Sequence, residues 1–336
     1  MRASTSPARS SQSVLDLSSP AGETLGQTER RSRLGKPRKG MSPQQRRDVR
    51  VGLVMLAPAV LTTGLVLIYP MIVALQSSFY RINTVTRTQV FVGLDNYLGL
   101  RTDPEFWTAL WRTLFWVVGA ISTQAVVGIL VAMALNKKVR GLNFVRGVVL
   151  FPYLVPAIVA VLTWRWIFSG TVGVANYLLV DLTGLLDTPI TWFHPKFAMV
   201  SVIIMSLWKY LPYWALFILA RLQSVPEELH EAALIDGASP WQRFRFITWP
   251  WIMPVVMVLV VLRSIWAFRE FDMVYLPASG GPLQRTTTIP VYIRHVAFDL
   301  TDIGRAAAVA IALLILVVLL NQLYLRIYER SEARLD

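Results

Sequence analysis

The residues most able to do chemistry are two cations inside long apolar runs. Lys209 lies in residues 197–220 and Arg263 in residues 251–268, and neither run holds another charge. A charged side chain at the centre of a membrane helix costs about 2.5–3.5 kcal/mol on insertion scales, so such residues usually face a cavity or a partner. The two cations therefore mark where the chain could handle a polar molecule.

Aromatic and hydrogen-bonding residues flank both cations in the sequence. Sugars are commonly held by aromatic faces together with hydrogen-bonding groups, and this set supplies both. The alternatives are ordinary packing between helices, or, for Arg263, an ion pair with Glu270 or Asp272. The flanking residues are Trp208, Tyr210, Tyr213, Trp214, Ser264 and Trp266.

Other kinds of chemistry find little support. The chain has no cysteine, which excludes disulfides, thiolate metal sites and cysteine nucleophiles, and its three histidines lie far apart at His194, His230 and His295. No phosphate-binding G-x-x-x-x-G-K-[ST] motif occurs, so any ATP hydrolysis must take place on another polypeptide. We expect no catalytic residue, no metal site and no bound cofactor.

Composition indicates a membrane protein built from helices. Hydrophobic residues make up 54% of the 336 residues and charged residues 16%, and the mean hydropathy is +0.50. A soluble domain has roughly 25% charged residues. A helix needs about 20 apolar residues to cross a bilayer, and six runs approach that length, which predicts an all-α fold with six spans. The runs are 51–79, 113–135, 147–164, 197–220, 251–268 and 306–325.

The position of the basic residues predicts the orientation. The net charge of +13 alone could suggest a nucleic-acid partner. However, 21 of the 33 Lys and Arg residues lie in the tails and loops of one side, and 10 lie on the other. The positive-inside bias makes the richer side cytoplasmic, together with both termini. We therefore expect a multi-pass protein of the cell membrane and no nucleic-acid partner.

The chain is expected to divide into four parts. Residues 1–46 read as a disordered, basic cytoplasmic tail, whose cluster at 30–39 either contacts anionic lipid or is simply solvated. Residues 47–108 hold the first span and an external loop. Residues 109–328 form the main transmembrane domain, and residues 329–336 form a short cytoplasmic tail.

The segment 221–250 is too patterned for a simple loop. Ser224 with Glu227 predicts one capped helix that ends at Gly237, and Ser239 with Gln242 predicts a second, which ends at Pro250. The first helix is acidic, whereas a helix lying on anionic lipid would favour Lys and Arg. The segment therefore suits a basic pocket in another protein better than a lipid surface.

The same segment resembles the EAA loop of permease subunits in binding-protein-dependent ABC importers. The matching residues are Glu231, Ala232, Ala233, Gly237, Ile247 and Pro250. Residues 91–100 and 268–282 are similar to the carbohydrate branch of these permeases, which includes maltose, trehalose and glycerol-3-phosphate systems. We refer to residues 224–250 as the EAA loop.

The resemblance implies a type I ABC importer fold, a transport role rather than an enzymatic one, and a set of partners. These are a second, different permease, two ATPase subunits that use ATP and Mg²⁺, and an extracytoplasmic solute-binding protein received by loops 80–112 and 269–305. Glu231 would pair with a basic residue of an ATPase. The residues implied to couple to the ATPase are Glu231, Ala232, Ala233, Asp236, Gly237, Ile247 and Pro250.

The resemblance also implies that the spans flanking the EAA loop form a sugar site. The relative best known for binding maltose has a small hydroxyl residue at the position of Arg263 and an amide at that of Ala267, so its contacts cannot be transferred. The candidate pathway residues are Lys209, Tyr210, Tyr213, Arg263, Ser264, Trp266, Ala267 and Glu270.

Three alternatives to import of a di- or oligosaccharide stay open. A glycerophosphodiester or glycerol-3-phosphate importer would use Arg263 and Lys209 to bind phosphate. A secondary transporter would require acidic residues within the spans, and none lies well inside one. A membrane-embedded enzyme would require paired carboxylates or histidines there.

Overall fold

The computed structural model describes residues 43–137, 139–281 and 284–332. The described residues divide into two compact units between Thr63 and Gly64. In the first unit the described residues form helix α1, Pro43–Thr63, which accommodates Pro58. The predicted tail at 1–46 lies outside the described residues except for its last four, which are helical. Residues 333–336 of the predicted C-terminal tail also lie outside them.

In the part that the structure describes, the regular elements of the second unit are helices apart from one β-hairpin. Four short π-helical turns interrupt or extend its helices, at Gly64–Ile68, Tyr177–Leu182, Phe244–Thr248 and His295–Asp299. The remaining elements are α2 Tyr69–Ser77, β1 Tyr80–Asn83, β2 Thr88–Phe91, α3 Asp95–Arg101, α4 Pro104–Leu135, α5 Leu142–Leu154, α6 Ala157–Ile167, α7 Val174–Asn176, α8 Ala198–Leu222, α9 Glu227–Ile235, α10 Pro240–Arg243, α11 Trp249–Phe268, α12 Asp272–Ala278, α13 Ile289–Arg294 and α14 Ile303–Glu332.

Among the described residues, five helices are long and apolar enough to span a membrane, and a bent pair of helices makes a sixth if it is counted as one span. The five spans are Arg47–Ser77, Pro104–Leu135, Ala198–Leu222, Pro240–Phe268 and Ile303–Tyr328. In the most apolar stretch of α8, 61% of the residues are buried within the protein, against 33% in the corresponding stretch of the span that contains α11. Helix α8, which carries Lys209, therefore lies at the centre of the bundle.

Core contacts give the directions of the spans. At the EAA-loop end of the bundle, Leu135 of α4 shares a core cluster with Leu222 of α8 and Ile252 of α11. At the opposite end, Trp116 of α4 shares a cluster with Val202 and Phe268. Helices α4 and α8 therefore run parallel, and α11 runs antiparallel to both.

The predicted single span at 147–164 is instead broken in two. Helices α5 and α6 meet at an angle of 99°. Val155, which precedes Pro156, has an extended backbone with ψ 130°, as expected for a residue before proline. Arg146 of α5 donates to the Leu135 carbonyl at one end of the bundle, and Phe168 packs with Met273 at the other. The broken pair therefore runs from one end of the bundle to the other, and counting it as one span gives the predicted number of six.

The β-hairpin is the one departure from the predicted all-α fold in the described residues. Strands β1 and β2 pair antiparallel, with Tyr80 opposite Phe91. The Asn83 side chain accepts hydrogen bonds from the backbone N–H groups of Val85 and Thr86, which closes the turn. The strands are too short and too exposed to show an alternating pattern in the sequence.

Candidate translocation site and coupling loop

Arg263 lies at the centre of a buried polar network that joins three spans. Its side chain is 0% exposed. Arg263 Nε donates to Gln124 Oε1 on α4 at 3.1 Å, and Nη2 donates to Ser206 Oγ on α8 at 3.2 Å. Gln124 also donates to Ser206 at 2.9 Å and accepts from Trp214 Nε1 at 3.2 Å. The guanidinium is therefore fixed from both neighbouring helices.

The other side of Arg263 faces a carboxylate and an aromatic ring. Arg263 Nη1 lies 3.8 Å from Glu270 Oε2, and Tyr210 donates its hydroxyl to the same oxygen at 2.9 Å. The guanidinium carbon is 4.0 Å from the centre of the Tyr210 ring, within cation–π range. Of the two partners considered for Arg263, this geometry provides an ion pair with Glu270. We define the Arg263 cluster as Gln124, Ser206, Tyr210, Trp214, Arg263 and Glu270.

The close approach of α4 and α8 brings Gln124 into the cluster. At Gly128, one turn along α4, a Cβ atom would lie 2.5 Å from Trp214 Cβ, so only glycine allows this helix spacing. Gln124 and Ser206 were not among the predicted site residues. The available signal was that Gln124 is the only amide in the apolar run 113–135.

Lys209 has a different environment from Arg263. Its Nζ donates to the Val155 carbonyl oxygen at 2.6 Å, at the break between α5 and α6. The same ammonium lies 5.7 Å from the centre of the Tyr210 ring. Lys209 thus fastens the broken helix to α8 and borders the Arg263 cluster through Tyr210.

Aromatic rings border the cluster on the side toward α5. Tyr213 stacks on Tyr153, with ring centres 6.4 Å apart, and contacts Trp266 at 5.4 Å. Tyr153 is 41% exposed, so the aromatic edge is open while the cluster behind it is closed. Tyr213 Oη and Arg263 Nη1 are buried and have no hydrogen-bond partner in the described part of the chain.

Two of the predicted pathway residues lie apart from the cluster. The Ser264 hydroxyl lies 2.8 Å from both the Val261 carbonyl and Asn321 Oδ1, so it faces α14. Ala267 is buried, and its carbonyl accepts from Trp116 Nε1 at 3.1 Å. The structure therefore brings together Tyr210, Arg263 and Glu270, with Lys209, Tyr213 and Trp266 at the border.

The first helix of the EAA loop ends in a tight turn at Gly237. Gly237 adopts a φ of +73°, which an L-residue rarely takes. Its N–H donates to Leu234, and the Ala238 N–H donates to Ala233 at 2.9 Å, which is a Schellman closure. The predicted stop at Gly237 is confirmed.

Only one of the two predicted capping boxes forms. Ser239 and Gln242 exchange side chain-to-backbone bonds of 2.7 and 3.3 Å, as predicted. The prediction for Ser224 is wrong, because its hydroxyl donates to the Arg221 carbonyl of the preceding helix. Pro226 takes the cap position of α9 instead, without a side-chain bond.

The second helix of the loop does not end at Pro250 as predicted. Helix α10 passes through the π-helical turn Phe244–Thr248 into α11, and together they form the span Pro240–Phe268. Pro250 lies in the first turn of α11. The wider π turn precedes this proline and continues the helical path into α11. Ile247 and Pro250 are therefore parts of one continuous helix with Arg263.

The surface of the EAA loop is exposed and apolar around the turn. Of the predicted coupling residues, Glu231, Ala232, Asp236, Gly237 and Pro250 are exposed, and Ala233 and Ile247 are half-buried. Ile235 is 88% exposed, and Trp241 and Leu234 are also exposed. Exposed apolar patches of this kind mark interaction surfaces.

A second polar cluster joins three elements at the opposite end of the bundle. Asp103, just before α4, accepts hydrogen bonds from Tyr292 of α13 and from Arg305 of α14, the latter at 2.5 Å. Burial opposes ionisation of Asp103, but these hydrogen bonds outweigh it and hold the pKa of its carboxyl below the ordinary value.

Six spans, a buried polar cluster and an exposed helix–turn–helix are the features of a membrane-embedded transport subunit. The chain belongs to the family of binding-protein-dependent transport system inner membrane components, whose family model matches residues 124–336. It is a multi-pass permease subunit of the inner membrane, and the resemblance seen in the EAA loop is confirmed.

Named relatives give the family context. The chain is 36% identical over 274 residues to the inner membrane ABC transporter permease protein YcjO of Escherichia coli K12, covering 81% of this chain and 92% of YcjO. It is 33% identical over 282 residues to the trehalose/maltose transport system permease protein MalF of Thermococcus litoralis, covering 84% and 94%. It is also 33% identical over 285 residues to the sn-glycerol-3-phosphate transport system permease protein UgpA of Escherichia coli UTI89, covering 84% and 94%.

A solved structure supports the fold. A chain of a bacterial ABC transporter involved in the import of the acidic polysaccharide alginate superposes with a TM-score of 0.73 at 23% identity, covering 85% of this chain and 96% of that one. The likeness establishes the type I importer permease fold.

Proposed function

We propose that this chain is a permease subunit through which an ATP-driven importer moves a sugar of di- or oligosaccharide size. The observation that carries the proposal is the Arg263 cluster with its open aromatic edge, on the two spans that flank the EAA loop. Aromatic rings at Tyr153, Tyr213 and Trp266 can pack against sugar faces, while Tyr210 and Glu270 can exchange hydrogen bonds with hydroxyl groups. The trehalose/maltose relative makes this substrate class a natural candidate.

The charge balance of the cluster favours a neutral substrate over a phosphorylated one. Glu270 compensates the charge of Arg263, and Lys209 is bound to a backbone carbonyl. An incoming phosphate would therefore have to displace existing partners of either cation. The second candidate substrate is a phosphorylated polyol or its diester. Because one relative is a glycerol-3-phosphate permease, these compounds are included in the test below.

The substrate class is tested on the binding protein that delivers it. Calorimetric titration of the cognate extracytoplasmic binding protein should detect binding of maltose, trehalose or larger glucosides. Glycerol-3-phosphate and glycerophosphodiesters serve as the competing ligands. Binding of the phosphorylated compounds alone would contradict the sugar assignment.

The EAA loop and the exposed apolar residues around its turn support a proposal about the partners. We propose that α9 docks in a cleft of an ATPase subunit, with Glu231 paired to a basic residue, and that a second, different permease and two ATPase copies complete the complex. ATP and Mg²⁺ would be bound by those ATPase subunits. Closure of the two ATPases would then move the continuous helix Pro240–Phe268 and change which side the cluster faces.

Charge reversal tests the docking role. Loss of a buried interfacial charge pair costs about 2 kcal/mol or more, so Glu231→Lys should lower ATPase retention roughly thirty-fold while leaving insertion intact. Asp187→Lys, at an exposed acid outside the EAA loop, is the matched control. Normal transport and normal co-purification of the ATPase with Glu231→Lys would count against the docking role.

We also propose that the EAA loop and both termini face the cytoplasm, because 21 basic residues lie on that side and 10 on the other. The chain contains no cysteine, so single cysteines report on sidedness directly. Glu228→Cys, in α9, should resist a membrane-impermeant maleimide in intact cells, whereas Thr86→Cys, in the hairpin turn, should react. The reverse pattern would overturn the orientation.

A further inference from the structure

A basic groove lies at the EAA-loop end of the bundle, next to the surface of α9 that was proposed above to dock in the ATPase. It has a volume of about 980 Å³ and lies between residues 133–146 and the start of the EAA loop. Its cationic lining comprises Lys137, Arg140 and Arg146. Lys137 and Arg140 are exposed. The acid in its lining, Glu227, has an interaction of its own.

Arg146 is held in a fixed position on the wall of this groove. Its Nη1 donates to Asn143 Oδ1 at 3.0 Å, and its Nη2 donates to the Leu135 carbonyl at 2.9 Å. Its Nε is buried and has no hydrogen-bond partner among the described residues. A guanidinium is a planar set of donors suited to phosphate oxygens, and the bonds to Asn143 and Leu135 reduce the entropy lost when it binds one.

The groove also has an apolar side. Met133, Leu142 and Leu222 contribute to its lining, next to the cations. Val145, three residues after Leu142 and therefore on the same side of α5, is 44% exposed, and the preceding residue, Phe144, is 77% exposed. In a spanning helix such residues face lipid. The groove therefore combines phosphate donors with a path to the acyl region, a combination that a soluble anion would not need.

The depth of the groove agrees with a lipid ligand. Its walls come from the end of α4, the beginning of α5 and the end of α8, which are the ends of three membrane spans. Spans end at the level of the lipid headgroups, and basic pockets between spans are known to bind anionic headgroups. Helix α9 forms part of one wall of the groove through Glu227 and His230, and its later residues, from Glu231 to the Gly237 turn, lie outside the lining.

We propose that this groove binds the phosphodiester headgroup of an anionic phospholipid. Lys137, Arg140 and Arg146 contact the phosphate oxygens, and Met133, Leu142 and Leu222 contact the glycerol and the first acyl carbons. The bound lipid would fill the space between the 137–146 connection and the EAA loop. It would thereby restrict the angle at which the EAA loop leaves the membrane.

Lipid retention by the assembled complex tests the proposal. The complex with its partner subunits is reconstituted in nanodiscs of phosphatidylglycerol and phosphatidylcholine in equal parts, and retained lipid is measured by native mass spectrometry. Wild type should retain phosphatidylglycerol in preference. Arg140→Gln should weaken retention about five-fold, and Lys137→Gln/Arg140→Gln further, because each cation near a membrane surface contributes about one such factor.

Arg326→Gln is the matched control, because Arg326 is an exposed cation in the last span and lies outside the groove lining. Equal losses in Arg140→Gln and Arg326→Gln would show unspecific attraction and overturn the proposal. Displacement of the lipid by inorganic phosphate would identify a soluble-anion site instead. Retention of both lipids alike, or coverage of the groove by an ATPase subunit in cross-linking, would also overturn it.

Discussion

Lys209 Nζ donates a hydrogen bond to the carbonyl oxygen of Val155 at 2.6 Å, although the two residues are 54 positions apart. The extended backbone at Val155 ends α5 and leaves this carbonyl without a helical partner. Inside a membrane, every such group must be satisfied by the protein. One ammonium on α8 therefore stabilises a 99° break in the neighbouring span.

Replacing Lys209 tests this stabilisation. Lys209→Met keeps the length of the side chain and removes its donor, so the buried Val155 carbonyl loses its partner. We expect the free energy of unfolding in detergent to fall by about 1–3 kcal/mol. Lys196→Met removes the same charge at an exposed position and should have little effect. Equal destabilisation by the two variants would contradict the structural role of Lys209.

The Arg263–Glu270 pair predicts strong non-additivity. Glu270→Gln leaves a fully buried guanidinium without its counter-charge, and removal of one partner of a buried pair costs about 3–5 kcal/mol. The double variant Arg263→Met/Glu270→Gln removes both charges and should be more stable than Glu270→Gln alone. A double-mutant cycle on the free energy of unfolding measures the coupling, and strictly additive effects would refute it.

The Gly237 turn predicts a conformational cost without a steric one. A Cβ at Gly237 would meet no atom within 4 Å, but the φ of +73° penalises any L-residue. Gly237→Ala should therefore cost about 1–2 kcal/mol in the turn and lower ATPase activity stimulated by the binding protein. Gly99→Ala in α3 also meets no atom within 4 Å and has no positive φ. Preserved stimulation in Gly237→Ala would show that the closed turn is dispensable.

The Asp103 cluster predicts a stability difference that depends on pH. A carboxyl whose pKa is lower in the folded than in the unfolded chain stabilises the fold above its ordinary value of 3.8 and loses that effect as pH falls through the lowered pKa. Wild type should therefore exceed Asp103→Asn in thermal stability at about pH 7. The gap should narrow as the pH approaches the lowered pKa.

The control for this pH series is Asp187→Asn, at an exposed loop position. Its gap from wild type should stay small throughout the titration. If the difference in thermal stability between wild type and Asp103→Asn grew as the pH fell, the proposed stabilisation by ionised Asp103 would be contradicted.

The sequence predicts the elements whose causes are local. Five apolar runs became spans, Ser239 and Gln242 formed their capping box, and Gly237 closed its helix. The break at Pro156 is different, because Pro152 in the same run stays inside α5. At Pro156 the chain can break because the unpaired Val155 carbonyl accepts a hydrogen bond from Lys209. That donor is on another helix, so the local sequence does not show it.

The Arg263 cluster, too, could be predicted from the sequence only in part. Its ion pair with Glu270 joins near neighbours in sequence, and the sequence pattern suggested it. Its bond to Gln124 joins residues 139 positions apart. That bond depends on the helix spacing that Gly128 allows. Periodicity carries no information about such a pairing.

One continuous helix, Pro240–Phe268, connects the EAA loop to the Arg263 cluster. At 1.5 Å per residue its 29 residues reach roughly 43 Å, with the EAA loop at one end and Arg263 near the other. A tilt imposed at the loop by the proposed ATPase partner would therefore reach the Arg263 cluster along one helix, without a relay of side chains between them. The π turn at Phe244–Thr248 lies on this path between the EAA loop and Arg263, so its stiffness would set how much of the tilt reaches the cluster.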